Sequence, residues 1–265
     1  SVPEYNEPMS KDAPGVRYAE IDRETNETRV RVVLDLDGGT RSDISTGIPF
    51  FDHMLTQLCF HGEIDFGVIC EGDLGVDDHH TIEDVGIVMG QAIGDALKDE
   101  PIQRYASNIT PMDDALIMAA IDVSGRGGLF FDIPFKRERV GGMSTECVKE
   151  FFRALALHSG LTIHLTKMAG ENDHHIVEAT FKAFARALRA ACEADPRRAG
   201  TVASSKGVLW PWRALTRAPA RSSRSTHAAR PSLAASVKAV RPARSYRSVR
   251  APAYSSSATH ASWPF

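Results

Sequence analysis

The sequence DHHTIE at residues 78–83 and its counterpart DHHIVE at residues 173–178 decide the fold of this chain. The two copies begin 95 residues apart. Upstream of each copy, HMLTQLCFHG at 53–62 aligns with EFFRALALHS at 150–159, at an offset of 97. Repeated segments at nearly constant offsets indicate that the chain arose by internal duplication.

Apolar periodicity predicts similar elements in both halves. Apolar residues alternate at strand spacing in Val30–Leu36 and Ile64–Cys70, whereas those from Ile82 to Ala96 follow helical spacing. The sequence therefore predicts an α+β fold of two similar halves, at about residues 16–110 and 111–209. Within them we expect strands at about 30–36, 64–70, 116–123, 129–133 and 161–165, and helices at about 50–60, 81–98, 145–158 and 176–192.

The two halves together form the body of the chain, and the charge of this body differs from that of the C-terminal tail. Residues 1–15 form a polar N-terminal segment, and residues 210–265 form a basic tail rich in Ser, Ala, Arg and Pro, which we expect to be disordered. Ten Arg or Lys residues follow Trp210, so residues 1–210 carry a net charge of −3 − 10 = −13. An acidic body argues against nucleic acid as its partner.

Composition also excludes a membrane protein. No apolar run approaches the roughly 20 residues that a membrane-spanning helix needs. The four cysteines are far apart and form no CxxC pair. We therefore expect reduced thiols in an intracellular compartment.

The repeated motif is suited to binding metal ions. Residues three and four apart share a helix face, so either histidine of one copy can point the same way as its glutamate. Adjacent histidines diverge by about 100° around a helix, which lets one pair serve two metals. Imidazole and carboxylate ligands suit Mn, Fe, Co or Zn. The alternative is structural, since histidines can cap helices and Glu83 and Glu178 would be favoured near helix N-termini by the macrodipole.

At these residues the sequence resembles the imidazoleglycerol-phosphate dehydratase family. The resemblance extends over about Val16 to Leu209. It implies two halves like domain 2 of ribosomal protein S5, each a four-stranded sheet with helices on one face. It also implies a homo-oligomer of up to 24 subunits, with two Mn²⁺ per active site and active sites between subunits. The matching segments are RETNET (23–28), GIPFFDHML (47–55), DDHHTIED (77–84), PMDDAL (111–116), DVSGR (122–126), GENDHHIVEATFKAFARALR (170–189) and SSKGVL (204–209).

The resemblance also implies metal ligands. One metal would be held by His53, His80, His174 and Glu178. The other would be held by His79, Glu83, His175 and the residue at position 150. Plant-like members carry His at that last position, where this chain has Glu150. His158 and His164 are alternatives to Glu150, although His164 has the spacing of a buried strand residue.

Substrate contacts are implied in the same way. Glu27 matches a carboxylate that contacts substrate, and Asp114 stands where the family usually has Glu. The candidate catalytic residues are Glu27 first, Glu178 second, and His79. The phosphate of the substrate would be bound by Arg104, Arg126, Lys182, Ser204, Ser205 and Lys206, since phosphate prefers guanidinium, ammonium and hydroxyl donors.

The implied reaction is the dehydration of imidazole glycerol phosphate to imidazole acetol phosphate in histidine biosynthesis, in the cytosol or a plastid. The metals would act as Lewis acids on the imidazole ring, and a carboxylate would move the protons. A two-metal phosphatase and a non-catalytic metal-binding cage protein are the alternatives.

Overall fold

Two four-stranded sheets with the same topology form the framework. The computed structural model describes residues 17–97 and 101–198. The first sheet has the order β1-β2-β4-β3 and consists of β1 (Tyr18–Glu24), β2 (Thr28–Asp35), β3 (Ser42–Ser45) and β4 (Asp65–Gly72). The second has the order β5-β6-β10-β7 and consists of β5 (Tyr105–Met112), β6 (Ala115–Asp122), β7 (Gly128–Asp132) and β10 (Thr162–Ala169). In each sheet two antiparallel pairings are followed by one parallel pairing, which confirms the duplication.

Four helices complete the two halves. They are α1 (Pro49–Gly62), α2 (His79–Leu97), α3 (Glu146–Ser159) and α4 (Asp173–Cys192). A two-stranded hairpin of β8 (Arg139–Val140) and β9 (Met143–Ser144) precedes α3, and a short 3-10 helix spans Pro196–Arg198. Strand β5 belongs to the second sheet and starts at Tyr105, a few residues before the expected boundary at about residue 111.

The helices pack in pairs that cross from one half to the other. Helix α1 packs on α4, and α2 packs on α3. Both contacts include helical glycines, since Gly62 faces Ala185 and Gly86 faces the backbone of Phe151. Buried aromatic rings join the pairs, as where the Phe51 ring of α1 lies 5.3 Å from that of Phe151 on α3. The two halves therefore share one apolar core.

The outward faces of the two sheets differ. On the first sheet, Arg31 forms ion pairs with Glu20 and Asp22. On the second sheet, Ile109, Phe130 and Met168 are exposed. His164 was expected to be buried, but it is exposed on this face and stacks on Phe130 with ring centroids 4.4 Å apart. The first sheet exposes Ile69 on its outward face, so the second sheet presents the larger apolar surface.

Several expectations fall outside the described residues. They concern the N-terminal segment 1–15, the basic tail 210–265 and the candidate phosphate ligands Ser204, Ser205 and Lys206. Among the described residues, no helix is both long and apolar enough to cross a membrane. The four cysteines are free and buried, and burial raises the pKa of Cys59 to about 11.

We expect Gly86→Ala to destabilise the protein. A Cβ at Gly86 would lie 2.7 Å from the Phe151 carbonyl oxygen, so α2 and α3 would have to separate. Overpacking of this kind costs about 1–3 kcal/mol, part of which the better helix propensity of Ala offsets. The matched control is Gly75→Ala, whose Cβ would have no neighbour within 4 Å. A urea midpoint for Gly86→Ala equal to that of the control would contradict this role.

Candidate metal centre and active site

The repeated motifs lie at the starts of α2 and α4. The side chain of Asp77 accepts a hydrogen bond from the backbone N–H of His79 at 2.9 Å. Asn172 does the same for His174 at 3.0 Å. These residues satisfy the exposed donors of the first helical turn. The histidines are therefore not the caps, and their rings project from the helix starts.

One cluster of candidate ligands joins α1 to α4. The Glu178 carboxylate lies 3.4 Å from Nε2 of His174 and 4.0 Å from Nε2 of His53. Its other oxygen is 2.7 Å from Nζ of Lys182. Glu178 is only 7% exposed, and burial opposes its ionisation. The hydrogen bond from Lys182 and the nearby positive charges outweigh that effect and lower the pKa of Glu178.

A second cluster lies at the start of α2. Nε2 of His79 is 3.7 Å from Glu83, one turn along the same helix. Nδ1 of His80 faces the other way, 3.0 Å from Asp73 and 3.8 Å from Glu27. The hydrogen bond with Asp73, together with the charges of Glu27 and Asp73, raises the pKa of His80. The two adjacent histidines thus point in different directions, as the helical spacing predicts.

A third cluster lies at the start of α4. Nδ1 of His175 is 2.7 Å from Asp114, and its Nε2 is 3.4 Å from Asp113. Asp114 also accepts backbone hydrogen bonds from Glu171 and Asn172, at 2.6 and 3.1 Å. The backbone hydrogen bond from Glu171, and then the bond with His175, hold the pKa of Asp114 far below its usual range.

The duplication relates Asp114 to Glu27. Each residue immediately precedes the second strand of its sheet, since β2 starts at Thr28 and β6 starts at Ala115. Each also faces Nδ1 of the second histidine in the motif, His80 or His175. The two halves therefore place a carboxylate behind the same histidine.

The two halves differ at position 150, which aligns with His53 of the first half. The Glu150 carboxylate forms an ion pair with Arg153 at 3.0 Å, one turn along α3. His158, an alternative ligand, has its Nδ1 2.8 Å from the carbonyl oxygen of Ala154 in the same helix. Glu150 is on α3, next to Phe151 at the contact between α2 and α3. Helix α3 packs against α2, which carries Glu83.

The predicted sets of four ligands are not assembled within one chain. His53, His174 and Glu178 come together, whereas His80 and His175 each face carboxylates of their own surroundings. Over residues 17–97 and 101–198, no three His, Cys, Asp or Glu side chains are arranged to hold a metal ion.

The three candidate phosphate ligands within residues 17–97 and 101–198 lie in two places. Arg104 adopts a left-handed backbone conformation (φ 73°), and its Nε donates to Asp122 at 2.9 Å. Arg126 follows shortly after Asp122 and is exposed. Lys182 contacts Glu178, whereas the Arg104 N–H donates to the carbonyl of Ala191 near the other end of α4. Nine residues of helix separate the two contacts by about 13 Å, so Lys182 belongs with the candidate metal ligands.

Comparison with known proteins identifies the family. A sequence profile described as imidazoleglycerol-phosphate dehydratase matches residues 46–188. The imidazoleglycerol-phosphate dehydratase of Acidiphilium cryptum is 57% identical over 194 residues, which cover 73% of this chain and 99% of the relative. The chain belongs to the imidazoleglycerol-phosphate dehydratase family. The family member from Dinoroseobacter shibae is 54% identical over 195 residues, covering 73% of this chain and all of the relative.

Solved structures of imidazoleglycerol-phosphate dehydratases share the fold. The Staphylococcus aureus structure is 38% identical, with a TM-score of 0.62, and covers 67% of this chain and 99% of that one. The Pyrococcus furiosus structure, a complex with (S)-C348, is 37% identical with a TM-score of 0.63 and covers 71% and 100%. Membership of the family makes this chain a dehydratase of histidine biosynthesis.

The sequence analysis missed three acidic residues at the site, Asp73, Asp84 and Asp113, the last of which lies 3.4 Å from Nε2 of His175. Asp73 lies in the loop before α2, where nothing in the local pattern points to His80 seven residues later. Asp84 is buried and binds Arg23 and Thr28, which flank the turn carrying Glu27. The dehydratase segment RETNET is thereby attached to α2. The charged and hydroxyl side chains of RETNET were the sequence signal that could have revealed this contact.

We expect Asp73→Asn to lower the pKa of His80, because it removes the carboxylate that stabilises the protonated ring. Neutral imidazole reacts with diethyl pyrocarbonate, so the midpoint of the pH profile for modification of His80 should move to lower pH. Peptide mass spectrometry of metal-free protein measures it. Asp132→Asn, on an exposed strand residue of the second sheet, is the control. An unchanged midpoint would show that Asp73 does not govern His80.

Proposed function

We propose that this chain converts D-erythro-imidazole glycerol phosphate into imidazole acetol phosphate and water, at sites between subunits that each bind two Mn²⁺. The substrate would lose a hydroxyl from the carbon next to the imidazole ring and a proton from the following carbon. The enol so formed becomes the ketone. The observation that carries the proposal is the paired histidine–carboxylate arrangement at the starts of α2 and α4, which is incomplete within one chain.

The ligands fit a divalent metal of the manganese type. Such ions bind imidazole and carboxylate ligands. The four cysteines are buried, so they are not candidate ligands. Asp73 and Asp114 engage Nδ1 of His80 and His175. Metal-binding histidines commonly use one ring nitrogen for such a partner and the other for the metal. When bound, the metals would supply Lewis acidity toward the imidazole ring.

Assembly into a large homo-oligomer, of up to 24 subunits, would complete these sites. The predicted sets combine His80 with His53, His174 and Glu178, and combine His79 and Glu83 with His175 and Glu150. A neighbouring subunit can bring such groups together where one chain does not. The exposed apolar face of the second sheet supports association, because monomeric proteins rarely expose contiguous apolar patches.

The two candidate catalytic carboxylates differ in their surroundings. Glu178 is buried, and its oxygens are occupied by Lys182 and the two histidines, so it suits a fixed, ionised ligand. The side chain of Glu27 is 55% exposed and lies 3.8 Å from His80. A carboxylate with free acceptor positions near the imidazole is better suited to moving the proton. We therefore assign proton transfer to the Glu27 carboxylate and metal binding to Glu178 and His79.

Phosphate binding would orient the substrate. The guanidinium of Arg104 is held by Asp122 and lies over the Tyr105 ring, 4.6 Å from its centroid, so little conformational freedom would be lost on binding. Arg126 at the same end of β6 would add a second guanidinium. Ser204, Ser205 and Lys206 would supply the remaining donors. The activity would operate in the cytosol or a plastid.

We expect metal-stripped protein to lose turnover of imidazole glycerol phosphate and to regain it on addition of Mn²⁺. The ketone product can be followed by its absorbance after enolisation in alkali. Metal content is measured in parallel, and a Glu178→Gln variant should bind less Mn²⁺ and form little product.

Three results would contradict the proposal. Full turnover by metal-free protein would exclude a required metal. Release of inorganic phosphate without ketone would favour a phosphatase, and Mn²⁺ binding without any turnover would favour a non-catalytic metal-binding protein.

We expect Glu150 to act as the fourth ligand of the second metal. Glu150→Ala should lower the Mn²⁺ content per subunit and the activity, whereas Glu150→His should retain both. Arg153→Ala is the matched control, because it removes the ion pair of Glu150 and leaves the carboxylate. If Arg153→Ala and Glu150→Ala have equal effects, the role of Glu150 is the ion pair alone.

A further inference from the structure

The aspartate that precedes the two histidines in the first motif is bound by a segment of the other half. Asp78 is 6% exposed. Its Oδ2 accepts from the backbone N–H of Ser144 at 2.6 Å and from Arg139 at 3.1 Å. Its Oδ1 accepts from the Ser144 hydroxyl at 2.9 Å. Both carboxylate oxygens of Asp78 are thus used.

The corresponding aspartate of the second motif is bound by the same segment. Asp173 is 2% exposed, and its Oδ2 accepts from the backbone N–H groups of Lys136 and Arg137 at 2.9 and 2.7 Å. Its Oδ1 has no hydrogen-bond partner among the described residues. Only one oxygen of Asp173 therefore binds this segment.

Residues 136–145, which we call the strap, contain both sets of donors. The strap includes the β8–β9 hairpin, whose Val140 and Met143 side chains are buried. Its turn is seated against α1, because a Cβ on Gly141 would lie 2.7 Å from Cγ of Phe50. The Phe50 ring in turn lies 5.1 Å from that of His174. The strap therefore contacts the starts of α1, α2 and α4.

Helix capping does not account for these aspartates. Asp77 and Asn172 already bind the N–H groups of His79 and His174. A carboxylate placed only for the helix dipole would be favoured without burial. Burying a carboxylate instead requires compensating hydrogen bonds, which here come from the strap.

We propose that Asp78 and Asp173 are positioning residues, which bind one strap and so fix the two His-His pairs relative to each other. Each histidine pair directly follows its aspartate, so displacing the aspartate displaces the pair. A site completed between subunits needs both pairs in place before the neighbour binds. The part of this inference that concerns metal binding rests on the proposed function.

Hydrogen exchange of the metal-free full-length protein tests the coupling. Asp78→Ala removes both acceptor oxygens, so the donors on Ser144 and Arg139 lose their partner. Exchange should become about ten-fold faster in the first turn of α2 and also in the first turn of α4, which lies on the other side of the strap. The Mn²⁺ dissociation constant, from competition with a chelator, should rise about 10–100-fold, as for other partners of metal ligands.

The unused oxygen of Asp173 provides a conservative variant. Asp173→Asn can keep both strap hydrogen bonds through its remaining oxygen and should behave like the wild type. Asp173→Ala loses them and should resemble Asp78→Ala. Ser144→Ala removes one hydrogen bond and should shift exchange in both turns by a smaller factor. It decides the matter if Asp78→Ala does not fold. Asp22→Asn, an exposed residue of β1, is the control.

Three outcomes would overturn or separate the proposals. Faster exchange confined to the first turn of α2 would overturn the coupling, as would equal effects of Asp173→Asn and Asp173→Ala. A wild-type protein that binds no Mn²⁺ would overturn the proposed metal centre, while the exchange of the two turns would still decide the role of the strap.

Discussion

The contact on which the rest of the structure depends is the pairing of helices across the two halves. If α1 packed within its own half, His53 would not lie near Glu178, because Glu178 is on α4 of the second half. The pairing needs close helix approach at Gly86 and Gly90, and it buries aromatic rings from both halves in one core. Folding and site formation are therefore one event, since the residues that hold the halves together also bring the candidate ligands together.

The two DHH motifs share some of their side-chain contacts and differ in others. Each second histidine has a carboxylate behind it, from Asp73 and Glu27 in one half and from Asp114 in the other. His53 of α1 lies 4.0 Å from Glu178 of α4 across the helix pair, whereas Glu150 occupies the matching place on α3. Duplication thus gave one geometry, and later substitution gave the two motifs different candidate ligands and charge.

Central elements could be predicted from the sequence because their burial is periodic. Strands β2 and β4 and all four helices follow the expected positions to within a few residues. Strands β1, β3 and β5 were not predicted, since each lies at a sheet edge and buries little, and β5 contains Pro111. The HHxxE spacing predicted which residues share a helix face. It could not predict the strap or the Asp114–His175 contact, because these join residues far apart in the chain and lie in turns without periodicity.

The two outer sheet faces differ, and this difference limits how many neighbouring subunits one molecule can bind through its sheets. A duplicated chain with the same apolar surface on both halves would be bivalent through that surface, and bivalent units can extend into open chains without limit. Here the first sheet carries crossing ion pairs such as Glu20–Arg31 around an exposed Ile69, whereas the second exposes Ile109, Phe130 and Met168. If the apolar face of the second sheet carries the association proposed above, the chain is monovalent through its sheets, which favours closed assemblies over fibres.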